Sequence, residues 1–381
     1  MQKPTMFLLP IEPLEERYTS AWWRWLPESF GSAFRIVNVL GGALTTTVET
    51  GAFLDLHSRV HWCAVQLQSM AIAFKRCDVR DGDAIFVADL EHWGVEALRY
   101  MARLSDVDVR IFGFLHAASY TKGDFMEPMS DVGQYAERAW IAACDLVFVG
   151  TGYAKASVIE RRLSQDLHLH ERIRITGNPW RTAEARALVP NPKPERVIDV
   201  LFPHRPDAEK RPRAFVQLLL RYADEHGGMP RVAFTTGRQE YRSTNDEGAV
   251  EEIRALASWY PEQVTIHTGL DRAAFYMMLA RSKVVVSTAH EENFGYAMVE
   301  AMAQKALPLM PVAASYPELA RFHVPFLLDH RDDPVAKLHH LLSLQGAELE
   351  HEQAVALSCA RRHDHAEEHI LQAMLQTMLE G

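Results

Sequence analysis

The sequence predicts an α/β protein made of two doubly wound domains, each with its own parallel sheet. Short apolar runs alternate with longer amphipathic stretches along the whole chain, a proline-rich segment divides it near the middle, and the chain has 381 residues. Alternation of strands and helices is typical of parallel sheets with crossover helices. A chain of this length exceeds what one ordinary hydrophobic core holds, which favours two domains.

Each strand is predicted from a short apolar, often β-branched run that ends in a polar turn. In the first half the predicted strands are Met6–Leu9, Phe34–Val39, Ala84–Ala88, Val109–Phe114, Leu146–Val149 and Arg174–Ile175, with amphipathic helices at Val60–Phe74, Gly94–Leu104 and Gln134–Cys144. In the second half they are Val197–Phe202, Val232–Thr235, Val264–His267, Lys283–Ser287, Leu307–Met310 and Phe326–Leu328.

The domain boundary is predicted at Pro190, Pro192 and Pro194, because prolines at alternate positions cannot continue a helix and favour an extended linker. Residues 1–189 then form the N-terminal domain and residues 196–345 the C-terminal domain. Residues 346–381 are predicted to be helical and to pack back towards the N-terminal domain. Two doubly wound domains joined in this way are expected to bind ligands at the carboxyl ends of their strands.

Composition limits the possible partners and compartments. Forty basic and fifty acidic residues give a net charge of −10, which disfavours a nucleic-acid partner in general, although a local basic face remains possible. The four cysteines are widely scattered, which favours a reducing cytosol over a disulfide framework or metal knuckle. The N-terminus predicts neither a signal peptide nor a membrane span.

The most informative segment lies between Ser287 and Met302. It follows an apolar run that ends at Val286, turns through Gly295, and continues as a helix that contains Glu300. A strand that turns through glycine into a helix N-terminus is suited to bind a phosphate, because the free N–H groups and the helix dipole favour an anion. Glu292 precedes this helix, so one carboxylate is expected near a sugar and the other near a ribose.

Arg205 and Lys210 lie five residues apart in the loop after the first strand of the second domain. Both are expected to point at the same sheet edge as Gly295. A guanidinium and an ammonium beside a helix N-terminus suit a diphosphate leaving group. No D-x-D-like acidic pair occurs in either predicted cleft loop, so no metal and no cofactor other than a nucleotide-sugar co-substrate is predicted.

These two motifs, R-x4-K and E-x7-E, resemble those of the retaining GT-B glycosyltransferases related to glycogen synthase, as does the continuation Glu300–Leu319. The resemblance implies two Rossmann-like domains that face each other across a cleft. It also implies that Arg205 and Lys210 contact the donor diphosphate and that Glu300 holds the ribose. The donor is expected to be a UDP-sugar.

The same resemblance implies roles for the residues around the two motifs. Glu292, Asn293, Phe294 and Gly295 would contact the donor sugar through the carboxylate and the backbone N–H groups. A turn that contains Gly269 and Leu270 would lie near the nucleotide base.

Two narrower groups are similar in different parts of the chain. Pro203–Arg205 and Ser287–Ala301 resemble the tRNA-queuosine mannosyltransferases, whereas Pro10–Thr19, Val48–Asp55 and Leu90–Leu98 resemble bacteriophage-encoded glycosyltransferases associated with modified DNA bases. Acceptor choice in this fold belongs mainly to the N-terminal domain. The leading expectation is therefore transfer to 5-hydroxymethylcytosine in DNA, in the cytoplasm of an infected bacterium, and the alternative is queuosine in tRNA.

The first domain is expected to supply the acceptor side. His116 follows the strand Val109–Phe114 and would approach the donor sugar or the acceptor. Asp89, Glu91 and His92 follow the preceding strand, and one of them could orient or deprotonate an acceptor hydroxyl.

Trp22 and Tyr18 are further candidate acceptor contacts just beyond the first strand. Trp22 belongs to a cluster of tryptophans for which stacking on an extruded base and packing in the core are both open. For the whole chain, a sugar-nucleotide epimerase or a silent nucleotide-sugar binder on the same fold also remains open. The sequence predicts no membrane partner and does not predict the oligomeric state.

Overall fold

The structure is a computed structural model that describes residues 3–13, 18–42, 56–123 and 126–380. These residues form two compact units. The first contains the described residues up to Pro179 and resumes at His365, and the second is Trp180–Asp364. No helix in these ranges is long and apolar enough to cross a membrane.

The first unit contains a six-stranded parallel sheet with the strand order β2-β1-β3-β4-β5-β6. Its strands are β1 Thr5–Leu9, β2 Arg35–Asn38, β3 Ala84–Val87, β4 Arg110–Phe114, β5 Leu146–Val149 and β6 Ile173–Ile175. Its helices are α1 Trp22–Phe30, α2 Leu56–Lys75, α3 Val95–Leu104, α4 Ser130–Ala143, α5 Gly152–Arg162, α6 Leu167–His170 and, from the C-terminal stretch, α15 Ala366–Leu379. Short 3-10 helices lie at Tyr18–Ala21 and Glu127–Met129.

The second unit contains another six-stranded parallel sheet, with the strand order β12-β11-β10-β7-β8-β9. Its strands are β7 Ile198–Phe202, β8 Val232–Thr235, β9 Val264–His267, β10 Ser282–Val286, β11 Leu307–Pro311 and β12 Leu327–Leu328. Its helices are α7 Thr182–Ala187, α8 Pro212–His226, α9 Glu247–Trp259, α10 Arg272–Ala280, α11 Tyr296–Ala303, α12 Tyr316–Leu319, α13 Pro334–Ser343 and α14 Gly346–Arg361, with 3-10 helices at Ala208–Lys210 and Val324–Phe326.

Helices cover the sheets, so the central strands are apolar along their whole length. Every residue of β3, β5 and β8 is buried. Continuous apolar strands of this kind are expected where both faces of a parallel sheet are covered. The α/β class and the two doubly wound sheets that the sequence predicts are therefore confirmed. All twelve predicted strands occur, with ends that differ by one residue at most.

The boundaries of the observed units differ from both predicted domain boundaries, the one at residues 190–195 and the one at residue 346. α7 precedes the proline-rich segment but packs against α11, and it brings Trp180, Ala185 and Val189 into the core of the second unit. α14 also packs against α11. Of the predicted 346–381 segment, only α15 packs within the first unit, where it contacts α1 and β5. A proline-rich segment indicates where a helix ends. It does not indicate which hydrophobic core the apolar face of that helix packs against.

The packing of α15 predicts that its apolar face stabilises the first unit. Ile370 is fully buried there, so we expect Ile370→Ala to lower the free energy of unfolding by about 2–5 kcal/mol. Glu368→Ala on the exposed face of the same helix, where the side chain is 64% exposed, is the control and should change little. Urea unfolding followed by tryptophan fluorescence measures both, and equal midpoints for the two variants would contradict the assignment.

Candidate active site

The two charged motifs of the second unit meet at the carboxyl ends of β7 and β10. These strands are parallel neighbours, with Val200 paired to Val284 and Leu201 to Val285. From β7 the chain winds through β8 and β9 on one side, and from β10 through β11 and β12 on the other. The winding therefore reverses between β7 and β10, and ligands of doubly wound sheets bind at such a point.

The loops after these two strands are joined by direct contacts. Lys210 Nζ lies 3.0 Å from Glu292 Oε2, and the side chains are 16% and 20% exposed. The Thr288 hydroxyl donates a hydrogen bond of 2.7 Å to the Lys210 carbonyl. An ammonium and a carboxylate are thus held side by side where the winding reverses.

Gly295 forms the turn between the loop after β10 and α11. Its φ of +90° lies in the left-handed region, and a Cβ there would come within 2.8 Å of Leu319 Cδ1. Only glycine fits both constraints. The first N–H groups of α11 have no partner within the helix, and the helix dipole makes this end positive. This end of the helix is therefore suited to a phosphate, and Lys210, paired with Glu292, lies on the neighbouring loop.

Arg205 is bound within its own loop. Its Nε lies 2.6 Å from Asp207 Oδ2, and its Nη2 donates a hydrogen bond of 2.8 Å to Glu209 Oε1. Asp207 is buried and also accepts hydrogen bonds from the Ser243 hydroxyl and the Thr244 N–H. The guanidinium lies in the predicted loop, but carboxylates already engage it, so its predicted contact with a diphosphate requires an exchange of partners.

A buried hydrogen-bonded chain lies beside the motif residues. His204 Nε2 and the Ser287 hydroxyl are 2.9 Å apart, and the Ser287 and Tyr316 hydroxyls are 2.7 Å apart. Burial, reinforced by the positive charge of Lys210, keeps the pKa of His204 well below its usual value, so its imidazole is neutral. Burial and the charge of Glu292 raise the pKa of the Tyr316 hydroxyl. Neutral groups thus tie the end of β7 to the loop after β10.

Glu300 lies inside α11 and is almost fully buried. Its Oε1 accepts a hydrogen bond of 2.8 Å from the Tyr276 hydroxyl. Burial raises the pKa of the Glu300 carboxyl, and the nearby charge of Arg272 opposes that rise. The carboxylate is therefore oriented from one side by a tyrosine, which suits a group that accepts hydrogen bonds from a ligand's hydroxyl.

The Gly269–Leu270 turn follows β9 and is tied to the loop after β8. The Gly269 N–H donates to the Arg238 carbonyl at 2.7 Å, and the Leu270 N–H donates to the Thr236 carbonyl at 3.4 Å. Gly269 has a φ of +64°, which the turn requires. Its place at the same carboxyl edge agrees with a predicted role near the base, and that role stays a prediction.

Phe294 and Asn293 differ in what they can offer a ligand. The Phe294 ring is buried, with its centroid 4.7 Å from that of Tyr296 and 4.9 Å from that of His363. Its carbonyl accepts a hydrogen bond from the Ser315 hydroxyl. The Phe294 side chain therefore packs the core, and only its backbone is placed for the predicted donor contact. Asn293 is half-buried beside it.

In the first unit, His116 lies at the carboxyl end of β4 and is half-buried. Its Nε2 is 3.0 Å from the Ala88 carbonyl. A carbonyl only accepts, so Nε2 carries a proton. Trp22 packs on this imidazole with its ring centroid 4.7 Å away, and only 2% of its surface is exposed. Stacking of Trp22 on a base does not fit such burial. Tyr18 begins a 3-10 helix, and its side chain lies outside the described residues.

The loop after β3, which carries Asp89 and Glu91, contacts the buried Arg59 of α2. Arg59 Nη2 lies 2.9 Å from Asp89 Oδ2, and Nη1 lies 2.7 Å from Glu12 Oε2. The same guanidinium donates to the Glu91 carbonyl at 2.8 and 3.2 Å. Burial opposes the charge of Arg59, but the adjacent carboxylates outweigh burial and raise its pKa. The loop that carries Asp89 and Glu91 is therefore fixed by an ion-pair cluster.

His92 is buried and does not face solvent. Its Nε2 lies 3.1 Å from Gln66 Oε1, and the Gln66 amide donates to the carbonyls of Pro10 and Val39. Burial and the nearby Arg59 charge lower the pKa of His92 to about 3. The prediction that His92 could contact an acceptor directly does not fit this position. Its imidazole instead positions the loop.

Sequence reasoning missed four residues of these two edges: His204, Tyr316, Glu12 and Arg59. The signals that could have found His204 and Glu12 are their places in the loops after predicted strands, His204 beside Arg205 and Glu12 within Pro10–Thr19. Tyr316 and Arg59 come from helices distant in sequence, and no local pattern points to them. Among the described residues, no group of three or more His, Cys, Asp and Glu side chains could hold a metal ion.

Curated proteins match the sequence over part of its length. No family model matches the chain. The tRNA-queuosine α-mannosyltransferase of Drosophila melanogaster is 26% identical over 125 residues, which is 33% of this chain and 31% of that enzyme. The match thus spans about a third of the relative's length.

Solved structures match the chain over its whole length. Sucrose-phosphate synthase from Thermosynechococcus elongatus has a TM-score of 0.61 and 15% identity over 99% of this chain and 97% of its own. Trehalose-6-phosphate synthase OtsA has a TM-score of 0.68 and 13% identity over 98% of this chain and 99% of its own. At such identities the likeness establishes the fold alone, and the chain shares the GT-B-type fold of these enzymes.

The Gly295 turn predicts a large effect from one added methyl group. Gly295→Ala should weaken binding of a nucleoside diphosphate by at least about tenfold, because the left-handed backbone and the Leu319 contact both resist a Cβ. Gly228→Ala is the matched control, since a Cβ there meets nothing within 4 Å. Isothermal titration with UDP measures both. Unchanged UDP affinity in Gly295→Ala would show that the helix N-terminus does not hold the ligand.

Proposed function

We propose that the protein is a retaining glycosyltransferase that uses a nucleotide-diphosphate sugar. The observation that carries the proposal is the arrangement of Lys210, Glu292 and the Gly295 helix N-terminus where the winding of the second sheet reverses. A cation and a helix dipole that meet at one point suit a diphosphate. Fold relatives support the donor class, since a matching E. coli trehalose-6-phosphate structure is bound with UDP-2-fluoro-glucose.

The proposed reaction breaks the bond between the anomeric carbon and the diphosphate oxygen. The acceptor hydroxyl forms the new bond on the same face of the sugar, and its proton passes to the departing phosphate. Negative charge grows on the diphosphate in the transition state, and Lys210, Arg205 and the N-terminus of α11 would stabilise it. No dedicated base is needed for this step.

The remaining motif residues would hold the donor. Glu292 would bind hydroxyls of the transferred sugar, and Glu300, oriented by Tyr276, would bind the ribose. Before the donor binds, the ion pair with Glu292 keeps Lys210 in position. Lys210 then has no large movement to make when the diphosphate arrives, which favours a preorganised site.

We propose 5-hydroxymethylcytosine in DNA as the acceptor. The support is the resemblance of Pro10–Thr19 and Leu90–Leu98 to phage-encoded DNA-base glycosyltransferases. Residues 10–13 of the first segment and 90–94 of the second follow β1 and β3 at the carboxyl edge of the first sheet. The base would have to be extruded from the duplex to reach such an edge. Val48–Asp55, the third resembling segment, lies outside the described residues.

A second candidate acceptor is queuosine in tRNA. The 26% identity over 125 residues to the Drosophila tRNA-queuosine α-mannosyltransferase favours it. Both acceptors present a hydroxyl on a modified nucleobase, so the donor half of the reaction would be the same.

A donor panel tests the proposed function. The protein is incubated with UDP- and GDP-sugars and with either DNA containing 5-hydroxymethylcytosine or tRNA containing queuosine, and the nucleosides are analysed by mass spectrometry after digestion. We expect a hexose or pentose mass gain on the hydroxymethylated nucleoside. A gain only on queuosine in tRNA would identify the alternative. Interconversion of a UDP-sugar without any acceptor would indicate an epimerase, and no turnover of any donor would contradict the proposal.

Lys210→Ala should lower kcat on the order of 10²–10³-fold, because the growing charge on the diphosphate loses its ammonium partner. Arg221→Ala is the control, since Arg221 lies on α8, is 52% exposed and pairs with Glu225. The measurement for both variants is the rate of nucleotide-sugar hydrolysis, which is monitored through the nucleoside diphosphate released. Equal kcat values for the two variants would exclude a catalytic contact by Lys210.

A further inference from the structure

Two carboxylates of the loop after β7 hold the guanidinium of Arg205. Asp207 Oδ2 lies 2.6 Å from Nε, and Glu209 Oε1 accepts a hydrogen bond of 2.8 Å from Nη2. The Arg205 side chain is 23% exposed, so a ligand can reach it. We call these three residues the Arg205 cluster. Because separate nitrogens bind the two carboxylates, one contact can open while the other is kept.

Asp207 is the fixed member of the Arg205 cluster. Its side chain is 1% exposed, and its Oδ1 accepts hydrogen bonds of 2.9 Å from the Ser243 hydroxyl and 2.8 Å from the Thr244 N–H. Both donors belong to the loop after β8. If the Asp207 carboxylate turned away, it would leave these donors unpaired, which is costly in a buried place. The Asp207 contact therefore fixes where the guanidinium lies.

Glu209 is the member of the cluster that can move. It lies on the 3-10 helix Ala208–Lys210, and its Oε2 is buried without a hydrogen-bond partner among the described residues. Arg205 is the side chain that holds its other oxygen. The Glu209 side chain can change rotamer without moving the backbone that carries Lys210. Its unpaired oxygen would gain water in doing so, which lowers the cost of opening the contact.

Charge balance favours an anion at Arg205 once Glu209 leaves. Asp207 is shared with a second guanidinium, since Arg238 Nη2 lies 4.0 Å from the same Oδ2 and the Arg238 side chain is 2% exposed. Two arginines thus face two carboxylates. Without Glu209 one positive charge of this group is unbalanced, and a partly buried guanidinium in that condition is suited to a phosphate.

We propose that Asp207 positions Arg205 for the donor diphosphate and that Glu209 takes the place of a phosphate oxygen until the donor binds. The proposal rests on the proposed function, in which Arg205 contacts the diphosphate. On donor binding, Nη2 exchanges the Glu209 carboxylate for a phosphate oxygen, while Nε stays on Asp207. A guanidinium binds carboxylates and phosphates through the same planar set of N–H groups, so the exchange needs no large movement. Glu209 then competes with the departing nucleoside diphosphate and favours its release.

The two carboxylates are expected to have opposite effects on one affinity. Glu209→Gln weakens the competing contact and should bind the nucleoside diphosphate about tenfold more tightly, because a charge-assisted hydrogen bond no longer has to be broken. Asp207→Asn weakens the positioning contact and should bind it at least about tenfold more weakly. Isothermal titration of the full chain with UDP and with GDP measures both. A residue that only stabilised the fold would not give tighter binding when its charge is removed.

Controls separate charge, folding and the proposed function. Glu225→Gln removes one negative charge from a 42% exposed side chain that pairs with Arg221, and it should keep the wild-type affinity. In an Arg205→Met background, Glu209→Gln should no longer tighten binding, since its effect acts through Arg205. If Asp207→Asn does not fold, Ser243→Ala loosens the same carboxylate and should also weaken binding.

The outcomes are distinct. Unchanged or weaker binding in folded Glu209→Gln, or a gain that persists without Arg205, would overturn the role of Glu209. Unchanged or tighter binding in the folded Asp207→Asn and Ser243→Ala variants would overturn the role of Asp207. A wild-type protein that binds neither UDP nor GDP would contradict the proposed function itself.

Discussion

The pairing of β7 with β10 is the constraint on which the candidate active site of the second unit depends. These strands are distant in sequence, and their parallel register places the Arg205–Lys210 loop and the Glu292–Gly295 loop at one edge. Hydrogen bonds through Ser287 then fix the two loops to each other. A slip of this register would separate Lys210 from Glu292, although each loop could keep its own conformation.

The two sheet edges are built alike, since each lies where the winding of its sheet reverses and each holds cations against carboxylates. At the edge of the second sheet, Lys210 pairs with Glu292, and Arg205 pairs with Asp207 and Glu209. At the edge of the first sheet, Arg59 pairs with Glu12 and Asp89. The second edge also has the Gly295 turn into α11, whose positive helix end favours an anion.

The sequence predicted all twelve strands, because apolar runs are local signals. It also predicted that Lys210, Glu292 and the glycine turn at Gly295 lie at one sheet edge, because each follows a recognisable strand. It could not predict the partners of Arg205 or the burial of Trp22, since both follow from tertiary packing. The same reason explains the missed ionic cluster: its arginine comes from α2, and no spacing in the sequence links α2 to the ends of β1 and β3.

The return of α15 to the first unit has a consequence for synthesis on the ribosome. Among the described residues, the second unit is one continuous stretch, Trp180–Asp364, and can close its core as soon as that stretch has emerged. The first unit must wait, because Ile370 and Met374 complete its core. The six strands of the N-terminal sheet are therefore made early, but the hydrophobic cluster that α15 completes stays uncovered while the second unit is made. Such an order leaves apolar surface exposed during translation and gives chaperones a defined period in which to act.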